Sequence, residues 1–271
     1  MSPMNRNRGI RRAAATMAGF YTSIGRKSRR TRIFVLVGLL PAIVALVIRL
    51  NAWLSPAASV DGPAVFSNIV LTFNLQFLIL VLALFYGTSI VSEEVEGRTL
   101  TYLTTRPVPK PAIVLGKYAA YAAFLVGLVA SGVTLAFLIL YADRLGDAGA
   151  WLILARSLGV LGLGILAYTA LFTLAGAVMK KSVLLGLMFC FGWENVVQYF
   201  PGATQRFTVM HYLKSLLPPV ATGGEGSFAF LMFKLEPSSP AAAIGTIVVL
   251  TAAALALACW AFARKEYLFE E

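Results

Sequence analysis

Six long apolar runs decide what this 271-residue chain can fold into. They cover residues 33–53, 67–91, 112–141, 151–178, 183–200 and 240–262, and most reach the length needed to cross about 30 Å of hydrocarbon. In hydrocarbon every backbone N–H and C=O must be paired within the protein, so only helices and closed barrels can span it. These runs are too long and too uniformly apolar for barrel strands. The expected class is therefore an all-α integral membrane protein with six transmembrane helices and one membrane domain over residues 1–271. Hydrophobic residues make up 59% of the chain and charged ones only 13%, which excludes an ordinary soluble domain.

The net charge of +11 does not point to nucleic acid, because the basic residues are sorted by position. Nine Lys/Arg lie in or beside the basic lead of residues 1–32, and four more (Arg98, Arg106, Lys110, Lys117) follow the second run. Lys180, Lys181, Arg264 and Lys265 complete a set of seventeen that falls on one side if six spans alternate. Only Arg49, Arg144, Arg156, Arg206, Lys214 and Lys234 fall on the other. Basic loops stay in the cytoplasm, so both termini are expected there, in a multi-pass protein of the plasma (inner) membrane. Contact with anionic lipid explains the excess; nucleic-acid binding does not. In the lead, residues 9–25 interleave apolar and basic positions as an interfacial amphipathic helix does, while residues 1–8 read as a basic tail. Pro56-Ala57-Ala58 imitates a cleavage site, but the lead and first run are both longer than a signal peptide.

Within the runs, a few polar groups stand out. Asn68, Thr72 and Gln76 recur every four residues and so share a stripe of the second helix. Such a stripe must face other helices or a wet cavity, as helix-to-helix hydrogen bonding or as substrate path. Glu194, near the outer end of the fifth run, is either a functional carboxylate or the partner of Arg206 or another outward-facing base. Small residues at Ala123, Gly127 and Ser131, and glycines at 159, 162 and 164, allow close helix approach, or bending in the second case. The outer segment 201–239 is partly apolar and broken by Pro218-Pro219 and Gly223-Gly224, so it is expected to be partly re-entrant. His211 there is the only histidine, and Cys190 and Cys259 lie in separate runs, so neither a metal site nor a disulfide framework is expected. No phosphate loop, zinc helix or nucleophile elbow occurs, so no catalytic residues are assigned.

The charged island at 92–117, SEEVEGRTLTYLTTRPVPKPAIVLGK, is different in kind. Ser92 suits the cap of a helix opening on Glu93, Glu94 and Glu96, whose carboxylates favour a helix N-terminus. Leu100 and Leu103 offer apolar knobs three residues apart, and Arg106-Pro107 would end the helix. Pro109 and Pro111 stiffen the return. This segment resembles the cytoplasmic signature of the type-2 ABC exporter permeases, which runs Ser-x-Glu-x-Glu-x-Gly-Thr-Leu, a hydrophobic pair, Pro-Val-x-Arg/Lys and Gly-Lys. The matching residues are Ser92, Glu94, Glu96, Gly97, Thr99, Leu100, Leu103, Pro107, Val108, Lys110, Gly116 and Lys117. Arg98 intervenes where many members run Gly-Thr directly, which leaves the register of the short helix open by one residue.

The resemblance implies a membrane-spanning subunit that forms a substrate path. It would pair with a copy of itself or a related permease and couple to a separate ATPase subunit. ATP and magnesium would then be bound by that partner, and no cofactor by this chain. Residues Glu93, Glu94, Glu96, Gly97, Thr99, Leu100, Leu103, Arg106, Pro107 and Lys110 would form the coupling helix, with Asn68, Thr72, Gln76 and Glu194 bordering the path. Rival readings are a non-transporting membrane anchor or signalling subunit using the same docking surface, and a secondary transporter. The latter expects more mid-membrane ionisable groups and an inverted repeat. An intramembrane enzyme built on Glu194 and His211 is the weakest. The transported substrate cannot be read from these residues.

Overall fold

The computed structural model describes residues 29–54, 61–96, 110–179, 181–197, 203–217 and 238–264. Among these every regular element is helical. Five helices are long and apolar enough to cross a membrane: Thr31–Leu54, Gly62–Val91, Pro111–Leu140, Ala148–Val178 and Pro240–Arg264. They are called here the first, second, third, fourth and last helices. The chain is an all-α membrane protein, as the hydropathy pattern predicts. The expected interfacial helix at 9–25 lies outside the described residues.

Local chemistry explains the breaks. The first helix is interrupted at Leu39, between Arg29–Gly38 and Leu40–Leu54. Pro41 follows at once and cannot donate to a carbonyl in the preceding turn. The second helix opens at Gly62 behind Asp61, with Pro63 in its first turn, where a missing N–H costs nothing. It then widens into a π-helix over Ile69–Leu78 before regaining α geometry at Ile79–Glu96. Asp147 caps the fourth helix by accepting a hydrogen bond from the Gly149 amide at 2.9 Å.

One expectation is corrected. No new helix starts at Ser92: the second helix runs without a break through Glu96. No glycine or proline separates Gly87 from Gly97, so each further residue extends the hydrogen-bond ladder and nothing stops it. The fifth run forms a shorter apolar helix, Ser182–Glu194, α-helical over Ser182–Met188 and π-helical over Phe189–Glu194, and residues 198–200 lie outside the described residues. The chain still changes ends between Val178 and Pro240. Phe262, near the end of the last helix, packs with Ile90, Val91, Val114 and Ala177, which puts Pro240 at the opposite end of the bundle. The short helix therefore works together with the segment that follows it. A 3-10 turn at Ala203–Phe207 leads into a helix over Val209–Leu216, capped by the Thr208 hydroxyl. Val209, Met210, His211 and Leu213 of this helix are buried, so this part of the outer segment folds back into the bundle.

Glycines set the helix crossings. A Cβ on Gly176 would lie 2.7 Å from the Thr88 carbonyl oxygen, and one on Gly87 2.9 Å from that of Thr169, so the second and fourth helices touch backbone to backbone. The first and third helices meet the same way at Gly38 and Gly132. The small-residue stripe at Ala123, Gly127 and Ser131 does not make such a contact among the described residues; all three are exposed. Of Gly159, Gly162 and Gly164, only Gly164 is closely packed, under Leu213, while a Cβ on either of the others would meet nothing within 4 Å among the described residues. The main core runs through Leu75, Leu78, Leu82, Phe137, Tyr168 and Phe172.

Candidate functional site

Three features could carry function: the stems of the charged island, the polar groups of the second helix, and the buried carboxylate of the short helix. Of the residues assigned to coupling, Gly97, Thr99, Leu100, Leu103, Arg106 and Pro107 lie outside the described residues. Glu93, Glu94 and Glu96 belong to the helical tail of the second helix, and Lys110 opens the third at Lys110–Leu140. The island is thus bounded by two helix ends. Both stems are tied into the bundle. Lys117 is fully buried, with its ammonium 3.5 Å from the Ile90 carbonyl oxygen, which links the third helix to the second. The neighbouring Tyr118 hydroxyl donates to the Leu166 carbonyl at 3.0 Å, which links the third to the fourth. A buried polar side chain must find its partners inside the protein, so Lys117 does more than orient the chain.

The polar stripe of the second helix falls in its π-helical part. Asn68 is exposed on the surface of the chain, and Thr72 and Gln76 are half-buried. None of the three is sequestered by the chain's own helices. The polar side chain that is buried there is Asn74, which hydropathy reading passed over. Its carboxamide donates to the Ile69 carbonyl at 3.3 Å, and its Oδ1 has no hydrogen-bond partner among the described residues. Asn195 repeats the motif by donating to the Cys190 carbonyl at 2.8 Å, again five residues back. The two π-helical stretches approach each other through Phe77 and Phe191, whose rings are 6.5 Å apart.

Glu194 is 1% exposed. Its carboxylate accepts from the Tyr168 hydroxyl at 3.1 Å and from the amides of Val209 at 3.2 Å and Met210 at 3.3 Å. The expected partner Arg206 is not among these donors. Glu194 instead caps the re-entering helix: the first amides of Val209–Leu216 have no carbonyl to bond, and the carboxylate satisfies two of them. His211 belongs to the same unit. Its Nε2 is 3.1 Å from the Ser238 hydroxyl, the Ser215 hydroxyl donates to the His211 carbonyl at 2.8 Å, and the Ser238 amide donates to Ser215 at 3.3 Å. Through this chain of bonds the re-entering helix is fastened to the start of the last one. Glu194 and His211 thus hold a helical hairpin together. Among the described residues there is no His, Cys, Asp and Glu group able to hold a metal ion.

No curated protein matches the chain. Residues 26–193, more than half of it, match the family described as ABC-2 family transporter protein. That span takes in the charged island and every long helix but the last, and stops one residue short of Glu194. With this match, the apolar helices and the motif at 92–117, the chain is a multi-pass membrane permease that belongs to the ABC-2 transporter family.

Proposed function

We propose that this chain is the permease subunit of an ATP-driven exporter, coupled through residues 92–110 to a separate ATPase that binds ATP and magnesium. Two permeases, identical or related, would enclose the path. The observation that carries this reading is how the island is mounted. It joins two helix ends whose buried roots, Lys117 against Ile90 and Tyr118 against Leu166, fasten it to the second, third and fourth helices. A displacement imposed on it would therefore move three helices and not be absorbed in a loop. The island shares its end of the bundle with the beginning of the first helix, where Phe34 packs on Phe85 and Tyr86, and with the end of the last. Arg32, Lys110, Lys117, Lys181 and Arg264 belong to helix ends on that side, which supports a cytoplasmic assignment for it and for both termini.

The path would be bordered by Asn68, Thr72 and Gln76. Polar side chains left uncovered in a membrane helix need a second protein surface or water opposite them. Glu194 supports that border indirectly, by fixing the hairpin beside it.

Co-purification with the ATPase tests the coupling surface. Glu94→Arg and Leu100→Asp should each abolish association and stimulated ATP hydrolysis while the permease remains monodisperse. Unchanged association in both variants would remove the basis for the assignment. ATP-dependent movement of solute or lipid in reconstituted vesicles distinguishes a transporter from an anchor, and the side on which cargo accumulates fixes the direction.

A further inference from the structure

At the end of the bundle away from Glu96 and Lys110, a cavity of about 330 Å³ opens among three helix ends, lined by Arg49, Asp61, Pro63, Leu140, Asp143 and Arg144. Its floor is backbone: a Cβ on Gly62 would lie 2.4 Å from the Leu140 carbonyl oxygen, so the second and third helices meet directly beneath it. One pair of charges is already matched, because the Arg49 guanidinium donates to the Asp143 carboxylate. Asp61 and Arg144 have no ion-pair partner among the described residues. An occupant must therefore bring one charge of each sign. A plain anion would be repelled by Asp61, and a plain cation by Arg144.

The setting identifies where such an occupant comes from. Arg49 and Trp53 are four residues apart and share a stripe of the first helix, and Trp53 is 80% exposed. Trp151, also exposed, donates its indole N–H at 2.9 Å to the carbonyl of Leu145, next to Arg144. Tryptophans in this position mark the headgroup level of a bilayer. Leu46 and Leu50 continue the exposed apolar surface from there towards the membrane interior. The cavity thus opens where a lipid headgroup sits above its own acyl chains.

We propose that this cavity binds the headgroup of a phospholipid carrying a phosphate and a primary ammonium, phosphatidylethanolamine being the simplest. The Arg144 guanidinium takes the phosphate oxygens in its planar fork. The Asp61 carboxylate accepts hydrogen bonds from the ammonium, and the acyl chains lie along Leu46, Leu50 and Trp53. A trimethylammonium group has no N–H to give Asp61, and phosphatidylglycerol brings no cation. Neither should replace it.

The test is lipid titration of the delipidated, detergent-purified protein, followed by native mass spectrometry. Phosphatidylethanolamine should bind about tenfold more tightly than phosphatidylcholine or phosphatidylglycerol, the factor expected for one charge-assisted contact. The Asp61→Asn, Arg144→Gln double variant should lose that preference and bind phosphatidylcholine more weakly as well, because both lipids place their phosphate on Arg144. Equal binding of the three lipids by the unaltered protein overturns the proposal, and this comparison does not depend on any variant folding. Tighter binding of phosphatidylglycerol, an unchanged preference in the double variant, or equally tight binding of free glycerophosphoethanolamine would overturn it too. The last outcome would make the cavity a site for a soluble zwitterion.

Discussion

Glu194 is a buried carboxylate whose value lies in what it leaves satisfied. Removing it strands the amides of Val209 and Met210 and the Tyr168 hydroxyl in an apolar interior. Each unsatisfied buried group costs about 1–3 kcal/mol. Glu194→Ala should therefore lower stability by about 3 kcal/mol or more, read as a clear drop in the unfolding midpoint in detergent. Tyr168→Phe removes one donor and keeps the ring beside Phe172, so its loss should be about 1 kcal/mol. Arg206→Ala, at an exposed position, should stay within about 0.5 kcal/mol. A loss at Arg206 equal to that at Glu194 would restore the ion pair the sequence suggests. The sequence marks Glu194 as unusual because a carboxylate in an apolar run is costly wherever it points. It does not reveal the partners, since Val209 and Met210 are backbone donors any residue could supply. Asn74 shows the converse limit: with no period to flag it, only packing distinguishes it from the exposed Asn68.

At the scale of elements, helix content and approximate span positions were legible from hydropathy, while contacts and ends were not. The stripe Ala123, Gly127, Ser131 has the composition of a helix contact, yet the backbone approach occurs at Gly132, one residue on and about 100° round the helix. Gly132→Leu and Gly176→Leu should each disrupt a crossing and yield aggregated protein in size-exclusion chromatography. Gly127→Leu, with nothing within 4 Å of its Cβ position, should stay monodisperse as a single chain. A tolerated Gly132→Leu would mean that the first and third helices are not in backbone contact. The Ser92 cap fails for a similar reason. A serine before glutamates is a good start signal only where the preceding chain is not already helical, and here it is.

For the whole molecule, coupling makes a separable prediction. Lys117→Met keeps the side-chain length and apolar packing but removes the ammonium facing Ile90. It should leave the ATPase bound and hydrolysing while reducing ATP-dependent transport in vesicles, because one polar tie between the island's root in the third helix and the second is lost. Equal retention of both activities would show that Lys117 transmits nothing. The sequence by itself determined that the chain is an all-helical membrane protein and that its motif and helices place it in the ABC-2 family. Those properties follow from sums over local stretches: hydrocarbon demands internally paired backbone, and a run of apolar residues either meets that demand or does not. Only the tertiary structure decided what Glu194 caps, which glycines touch, that Lys117 is buried, and that Arg49, Asp61, Asp143 and Arg144 share one cavity. These are meetings between residues distant along the chain. Their geometry depends on how whole helices cross, which no local pattern encodes.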